Sequence, residues 1–408
     1  MDVIKIIMVL TMMIIMLRRR VHMAAVMGTG ALFLSMLFSV PVLDTLKVFY
    51  STSIHASTLH TASALMLIMV LENLMRKNQL LEQLVIALKT LLKDYRAVMP
   101  LPPAFLGLLP SAGGALFSAP MVSSACADQS LTPERKGVIN FWYRHVWECV
   151  LPLYPAMIIA SEIMGIDMAR FIRSTYPFTV LAILLGIPYL VYHLEKGKTG
   201  HLDPPEATRA SDKTIFSLWT DLLKGMLPIV AVLMLFFAAR IPLAAALMIV
   251  ILALLILMKV SAAEWITLLK ESISIKILLI LFGIMVFKDM LEFTGAVESL
   301  VTVFTSRGIS VTLLAMLIPF FVAYLTGMSQ AYVAIAFPIL LGMLPEVDVS
   351  LMALAYVSGF AGLMLSPMHL CLVLTSEFYQ ARMGKMMIMM VPPLSIMVGV
   401  GWILAWIK

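Results

Sequence analysis

The chain has 408 residues, of which 62% are apolar or aromatic types and only 13% are charged, with a mean hydropathy of +1.00. A soluble domain carries about 25% charge, so this composition excludes a soluble enzyme and a disordered chain. The net charge of +6 does not make a nucleic-acid binder, because Lys and Arg are scattered between long apolar runs, as membrane flanks are.

The first apolar run, Val3 to Leu17, has the length of a signal peptide. Its basic block, Arg18 to Arg20, follows the run instead of preceding it, and no small-residue cleavage site is present, so it reads as a retained span. A spanning helix needs about 20 mostly apolar residues. On that basis ten spans are predicted, at 2–17, 23–43, 52–75, 139–163, 171–194, 214–239, 241–259, 274–293, 349–371 and 386–407. Two more apolar stretches, 100–127 and 311–344, are rich in Gly, Pro, Ser and Thr at their centres and read as re-entrant hairpins. With that topology 21 of the 29 Lys and Arg fall on one side, which places both termini outside. A full crossing at 100–127 would scramble this asymmetry. The 34 methionines fit a bilayer-facing or adaptable core and need no cofactor. Cys126, Cys149 and Cys371 are isolated from one another, so the sequence indicates neither a zinc site nor a disulfide, and they read as small buried hydrophobes.

The polar stretch 195–213 reads as a cytoplasmic linker. Its Gly197-Lys198-Thr199 echoes a phosphate loop, but Tyr192 stands where that motif needs Gly and no strand precedes it. The linker separates two repeats, 1–194 and 214–408, that match at a nearly constant offset. Glu82-Gln-Leu-Val85 recurs as Glu298-Ser-Leu-Val301, and Ser111 to Pro120 recurs as Ser329 to Pro338. Pro152 pairs with Pro367, Ser161-Glu162 with Ser376-Glu377, and Pro177 with Pro392. Each half then has five crossings, a surface helix (about 80–93 and 296–307) and a hairpin. Five is odd, so the second half inserts upside down, the inverted-topology repeat of secondary transporters.

Broken helices at membrane depth are costly unless they line a cavity or hold a ligand. The first tip, around Ser111, Gly113 and Gly114, opens a helix whose free N–H groups suit an anion. Ser123 and Ser124 follow it. The second tip, Thr326, Gly327, Ser329 and Gln330, offers oxygens for a polar solute or for Na⁺, with no firm metal site indicated. The spans after the hairpins carry their own breaks, at Pro152 and at Ser366-Pro367-Met368-His369. Arg144, His145 and Glu148 lie inside the predicted span 139–163, with Glu148 about 13 Å deep at ~1.5 Å per residue. Glu148 then either binds the coupling ion or proton, with Arg144 or His145 for a substrate anion, or only pairs with Arg144 at i,i+4. His55 and His60 mark a hydrated helix face, whereas Glu162 and Glu377 read as snorkelling side chains.

The stretches Leu109 to Pro120, Asn140 to Glu148, Thr326 to Pro338 and Ser366 to His369 resemble the ion-transporter superfamily, within it an uncharacterised prokaryotic membrane family related to gluconate permeases and citrate and dicarboxylate carriers. The resemblance implies a scaffold domain, a moving domain that carries both hairpins, a homodimer and elevator-like alternating access in the cytoplasmic membrane. Dicarboxylate members carry Ser-Asn-Thr at each tip, and this chain does not. The expected function is a secondary transporter that moves a small, anionic organic solute with Na⁺ or H⁺ coupling and no other cofactor. The alternatives are an ion channel or a membrane protein without transport. No HExxH, GxSxG or paired aspartate motif points to an enzyme.

Overall fold

Lipid offers no partner for main-chain N–H and C=O groups, so a chain this apolar can satisfy them only within helices or a closed barrel. The computed structural model describes residues 2–19, 21–91, 98–108, 114–126, 131–191, 214–296 and 308–407, and no strand occurs among them. Four helices are long and apolar enough to cross a membrane: Ala56–Lys77, Met168–Val191, Ile215–Phe237 and Met383–Trp406. Shorter apolar helices surround them, including Met23–Leu37, Leu243–Leu257 and Val311–Thr326.

The predicted spans each contain helix, but their bounds differ where local chemistry intervenes. The 23–43 span stops at Leu37, because Ser39 turns through positive φ and Pro41 then caps a separate helix, Val42–Ile54. The 52–75 span consequently starts only at Ala56, two residues after Ile54. Spans 139–163 and 349–371 are each divided in two, into Pro133–His145 and Pro155–Met164, and into Val349–Met364 and Leu370–Phe378. The 100–127 stretch is interrupted between Leu101–Leu106 and Gly114–Ala125. The 311–344 stretch is interrupted at Gly327, between Val311–Thr326 and Ser329–Leu341, which pack along each other. The linker, the tip at 109–113 and most of the second predicted surface helix lie outside the described residues. The first, Leu80–Leu91, packs on Ile215–Phe237, where a Cβ on Gly225 would meet Leu84 at 2.6 Å.

The helices sort by side-chain size. Ile215–Phe237 and Met383–Trp406 present Phe216, Ile388 and Trp406 outward, an apolar surface suited to acyl chains. Val349–Met364 is instead buried from Leu351 onward. Its small residues make that possible, since helices driven together without water pack through Gly, Ala and Ser. A Cβ on Gly362 would lie 2.1 Å from the Phe320 carbonyl oxygen, and one on Gly359 would lie 2.3 Å from the Tyr332 ring.

Freed carbonyls are paired by side chains. Pro393 cannot donate to the Met389 carbonyl, and the Tyr189 hydroxyl takes that place at 2.7 Å. Trp142 Nε1 donates to the Ala182 carbonyl at 2.9 Å, and Arg135 Nε donates to that of Tyr189 at 2.6 Å. Gly362→Leu should therefore lower the apparent melting temperature in detergent, through overpacking that costs at least ~1–3 kcal/mol. Gly384→Ala, where nothing lies within 4 Å of the added Cβ, should leave it unchanged.

Candidate functional site

The four helix interruptions meet. At the first, the Gly107 carbonyl accepts from the Tyr154 hydroxyl at 2.6 Å, and the Leu106 carbonyl accepts from Arg144 Nη1 at 3.1 Å. Trp147 Nε1 donates to the Ala104 carbonyl at 2.8 Å. A Cβ on Gly107 would lie 2.2 Å from the Arg144 oxygen, so only glycine fits this approach. The turn at Gly107 is thus held against the interruption at 146–154. The second half repeats the arrangement. Gly327 is left-handed, at φ +68°, and its added Cβ would lie 2.5 Å from the Met368 carbonyl carbon. Ser366 Oγ donates to the Tyr324 carbonyl at 2.6 Å.

The two halves then join. His145 Nε2 lies 3.2 Å from His369 Nε2, and the Tyr356 hydroxyl donates to the Glu148 carbonyl at 3.1 Å. Asn140 Nδ2 donates to Thr375 Oγ1 at 3.4 Å. Phe141 packs against both imidazoles. Around these contacts Arg144, His145, Glu148, Ser366 and His369 are buried, none more than 8% exposed. Glu148 Oε1 lies 3.8 Å from His145 Nε2, and Glu148 Oε2 is buried with no hydrogen-bond partner among the described residues.

The helices Pro155–Met164, Ser329–Leu341 and Leu370–Phe378 all begin at these interruptions, and none has a side-chain cap. Their positive dipole ends suit an anionic group.

Most of the residues singled out in the sequence converge here. Arg144, His145, Glu148, Ser366 and His369 share the centre, and Pro152 is buried in the turn beside them. Thr326, Gly327, Ser329 and Gln330 form the second tip, with Ser329 and Gln330 half-buried. Glu148 needs correction: it does not sit within a continuous span, because the helix ends at His145 and residues 146–150 form turns. The helical i,i+4 geometry assumed for Arg144 and Glu148 does not apply there. Ser123 is directed elsewhere, beside Tyr379 at the far end of Leu370–Phe378. Gly114 opens its helix as expected, whereas Ser111, Gly113 and the side chain of Ser124 lie outside what is described. Cys371 is buried as expected, and its sulfur lies within 4.8 Å of the ligand nitrogens of His145 and His369. Tyr356 was not anticipated at all. No spacing rule links residues more than 200 positions apart.

Buried polar centre, apolar exterior and interrupted helices define a multi-pass helical membrane protein. The chain belongs to the family described as "Protein of unknown function (DUF401)", which matches residues 3–407. Comparison with curated proteins gives no match. The fold is similar to that of the YdaH transporter of Alcanivorax borkumensis, with a TM-score of 0.55 at 14% identity, covering 88% of this chain and 86% of that one. MtrF of Neisseria gonorrhoeae, described within a class of antimetabolite efflux pumps, aligns with a TM-score of 0.42 at 15% identity over 89% of this chain and 83% of its own, too low to carry an argument.

Tyr154→Phe should strip the Gly107 carbonyl of its donor. A buried acceptor left unpaired costs about 1–3 kcal/mol, so the apparent melting temperature should fall. Tyr176→Phe, at a side chain 51% exposed, should not change it.

Proposed function

We propose that this protein is a secondary transporter of a small anionic organic solute, coupled to Na⁺ or H⁺, and not an enzyme. The observation that carries the reading is the convergence of four main-chain interruptions on one buried polar centre. Interrupted backbone at membrane depth persists where it lines a binding cavity. Three uncapped helix N-termini and the Arg144 guanidinium favour a negatively charged group. Thr326, Ser329 and Gln330 supply oxygens at the second tip, and Glu148 supplies a carboxylate for the coupling cation.

Inverted repeats are part of the same reading. Supporting them, helices that start at 114, 155 and 168 recur at 329, 370 and 383, each 215 residues later. With five crossings in each half, the copies would face opposite sides and exchange conformations. The similarity in fold to the YdaH transporter is in keeping with this. The kinship to gluconate and citrate carriers, re-entrant entry of both interrupted pairs, elevator-like motion, a homodimer and external termini complete the proposal.

A thermal-shift screen of the purified protein against organic anions identifies the solute, and uptake into proteoliposomes then tests the mechanism. A carrier saturates and shows counterflow; linear flux without counterflow identifies a channel. In that assay Gly114→Val should abolish uptake while folded protein is recovered at close to the normal yield. Uptake at the original rate would remove the first tip from the site. Glu148→Gln should alter how uptake depends on the Na⁺ or H⁺ gradient, and an unaltered dependence would assign Glu148 a structural role.

A further inference from the structure

The fold brings together three side chains with metal-binding chemistry from opposite halves of the sequence. His145 ends one half-helix, and His369 and Cys371 open another. Their ligand atoms lie within 4.8 Å of one another, and none of the three residues is more than 9% exposed. We propose that His145, His369 and Cys371 form a three-ligand binding site for a borderline transition-metal ion of the zinc class, with the fourth position open to water.

The geometry of the two imidazoles is the first argument. Zinc–nitrogen bonds of about 2.0 Å at tetrahedral angles put two ligand nitrogens about 3.3 Å apart. Here the two Nε2 atoms lie 3.2 Å apart. A zinc–sulfur bond of about 2.3 Å needs nitrogen–sulfur separations of about 3.5 Å. The Cys371 sulfur therefore has to close by at most about 1.3 Å, which a side-chain rotation at the first turn of its helix can supply.

The second argument is the orientation of His145. Its Nδ1 lies 2.6 Å from the Phe141 carbonyl oxygen. A carbonyl only accepts, so the neutral ring carries its proton on Nδ1 and presents the Nε2 lone pair. A main-chain carbonyl on the far nitrogen is what typically fixes a metal-binding histidine. Without metal, Nε2 of His369 donates to that lone pair. On binding, the ring proton of His369 moves to Nδ1, which has no hydrogen-bond partner among the described residues. The Cys371 thiol loses its proton to solvent, and the thiolate and both Nε2 atoms bond the ion.

The third argument is Glu148. Its Oε1 lies 3.8 Å from His145 Nε2, and its Oε2 is buried without a partner. As a carboxylate it stands beside the cluster and offsets part of the ion's charge. The thiolate and this carboxylate carry two negative charges beside the ion, with the Arg144 guanidinium close to both. Two nitrogens and a sulfur favour zinc, cobalt or copper over magnesium, calcium or sodium, which take oxygen. This inference is independent of the transport reading, because metal loading is read without solute or flux.

The test uses the full-length protein in detergent, stripped with chelator and titrated with Co²⁺. One Co²⁺ per chain should bind, with visible absorption of a tetrahedral complex and a thiolate-to-cobalt charge-transfer band, and Zn²⁺ should displace it. Cys371→Ser should lose the charge-transfer band and bind Zn²⁺ at least ~10-fold more weakly, no less than a typical loss of a ligand's supporting partner. Should that variant fail to fold, His369→Gln provides the second reading, with loss of the tetrahedral spectrum. Cys126→Ser, outside the cluster, should match the original protein. Failure to bind Co²⁺, or bands that persist unchanged in Cys371→Ser and His369→Gln, would overturn the proposal.

Discussion

A carbonyl oxygen with no donor is the constraint around which this protein is built. Each helix interruption inside an apolar body releases such oxygens, and each released oxygen described here has been given a side chain. Tyr154 serves Gly107, Arg144 serves Leu106, Trp147 serves Ala104 and Ser366 serves Tyr324. These donors are drawn from the neighbouring interruption. One break therefore stabilises the next, and a polar centre of considerable density persists within a chain that is 62% apolar.

Glycine and serine on the innermost helix complete the arrangement. Val349–Met364 reaches the middle of the molecule only because Gly359 and Gly362 let the Tyr332 ring and the Phe320 carbonyl approach closely. Larger residues there would push the interrupted helices apart and undo the register between His145 and His369. Packing and polar pairing are thus two aspects of one requirement.

Much of this was legible from the chain itself. Apolar runs located the helices, and the clustering of Gly, Pro, Ser and Thr pointed to the breaks at Gly327 and Ser366 to His369 and to the end of the one at Pro152 to Pro155, because these residues either lack a donor or tolerate unusual backbone angles. The extra helix Val42–Ile54 was not legible, since Pro41 initiates it inside a run that otherwise satisfies the length expected of a span. Nor was the end of the helix at His145: residues 146–151, Val-Trp-Glu-Cys-Val-Leu, contain nothing that forbids a further turn, and the turn there is set by tertiary pairing with Tyr356. Cys371 looked like an isolated hydrophobe for the same reason. Its neighbours are supplied by the fold, 226 and 2 residues away in sequence.

The contact of His145 with His369 has an evolutionary consequence. One imidazole comes from each half, and their Nε2 atoms lie 3.2 Å apart. If the halves descend from a duplicated ancestor, they have not been free to diverge independently at this point. A change to either ring would leave the other's Nε2 without this partner inside the buried polar centre, so replacements here are expected to be inherited in pairs.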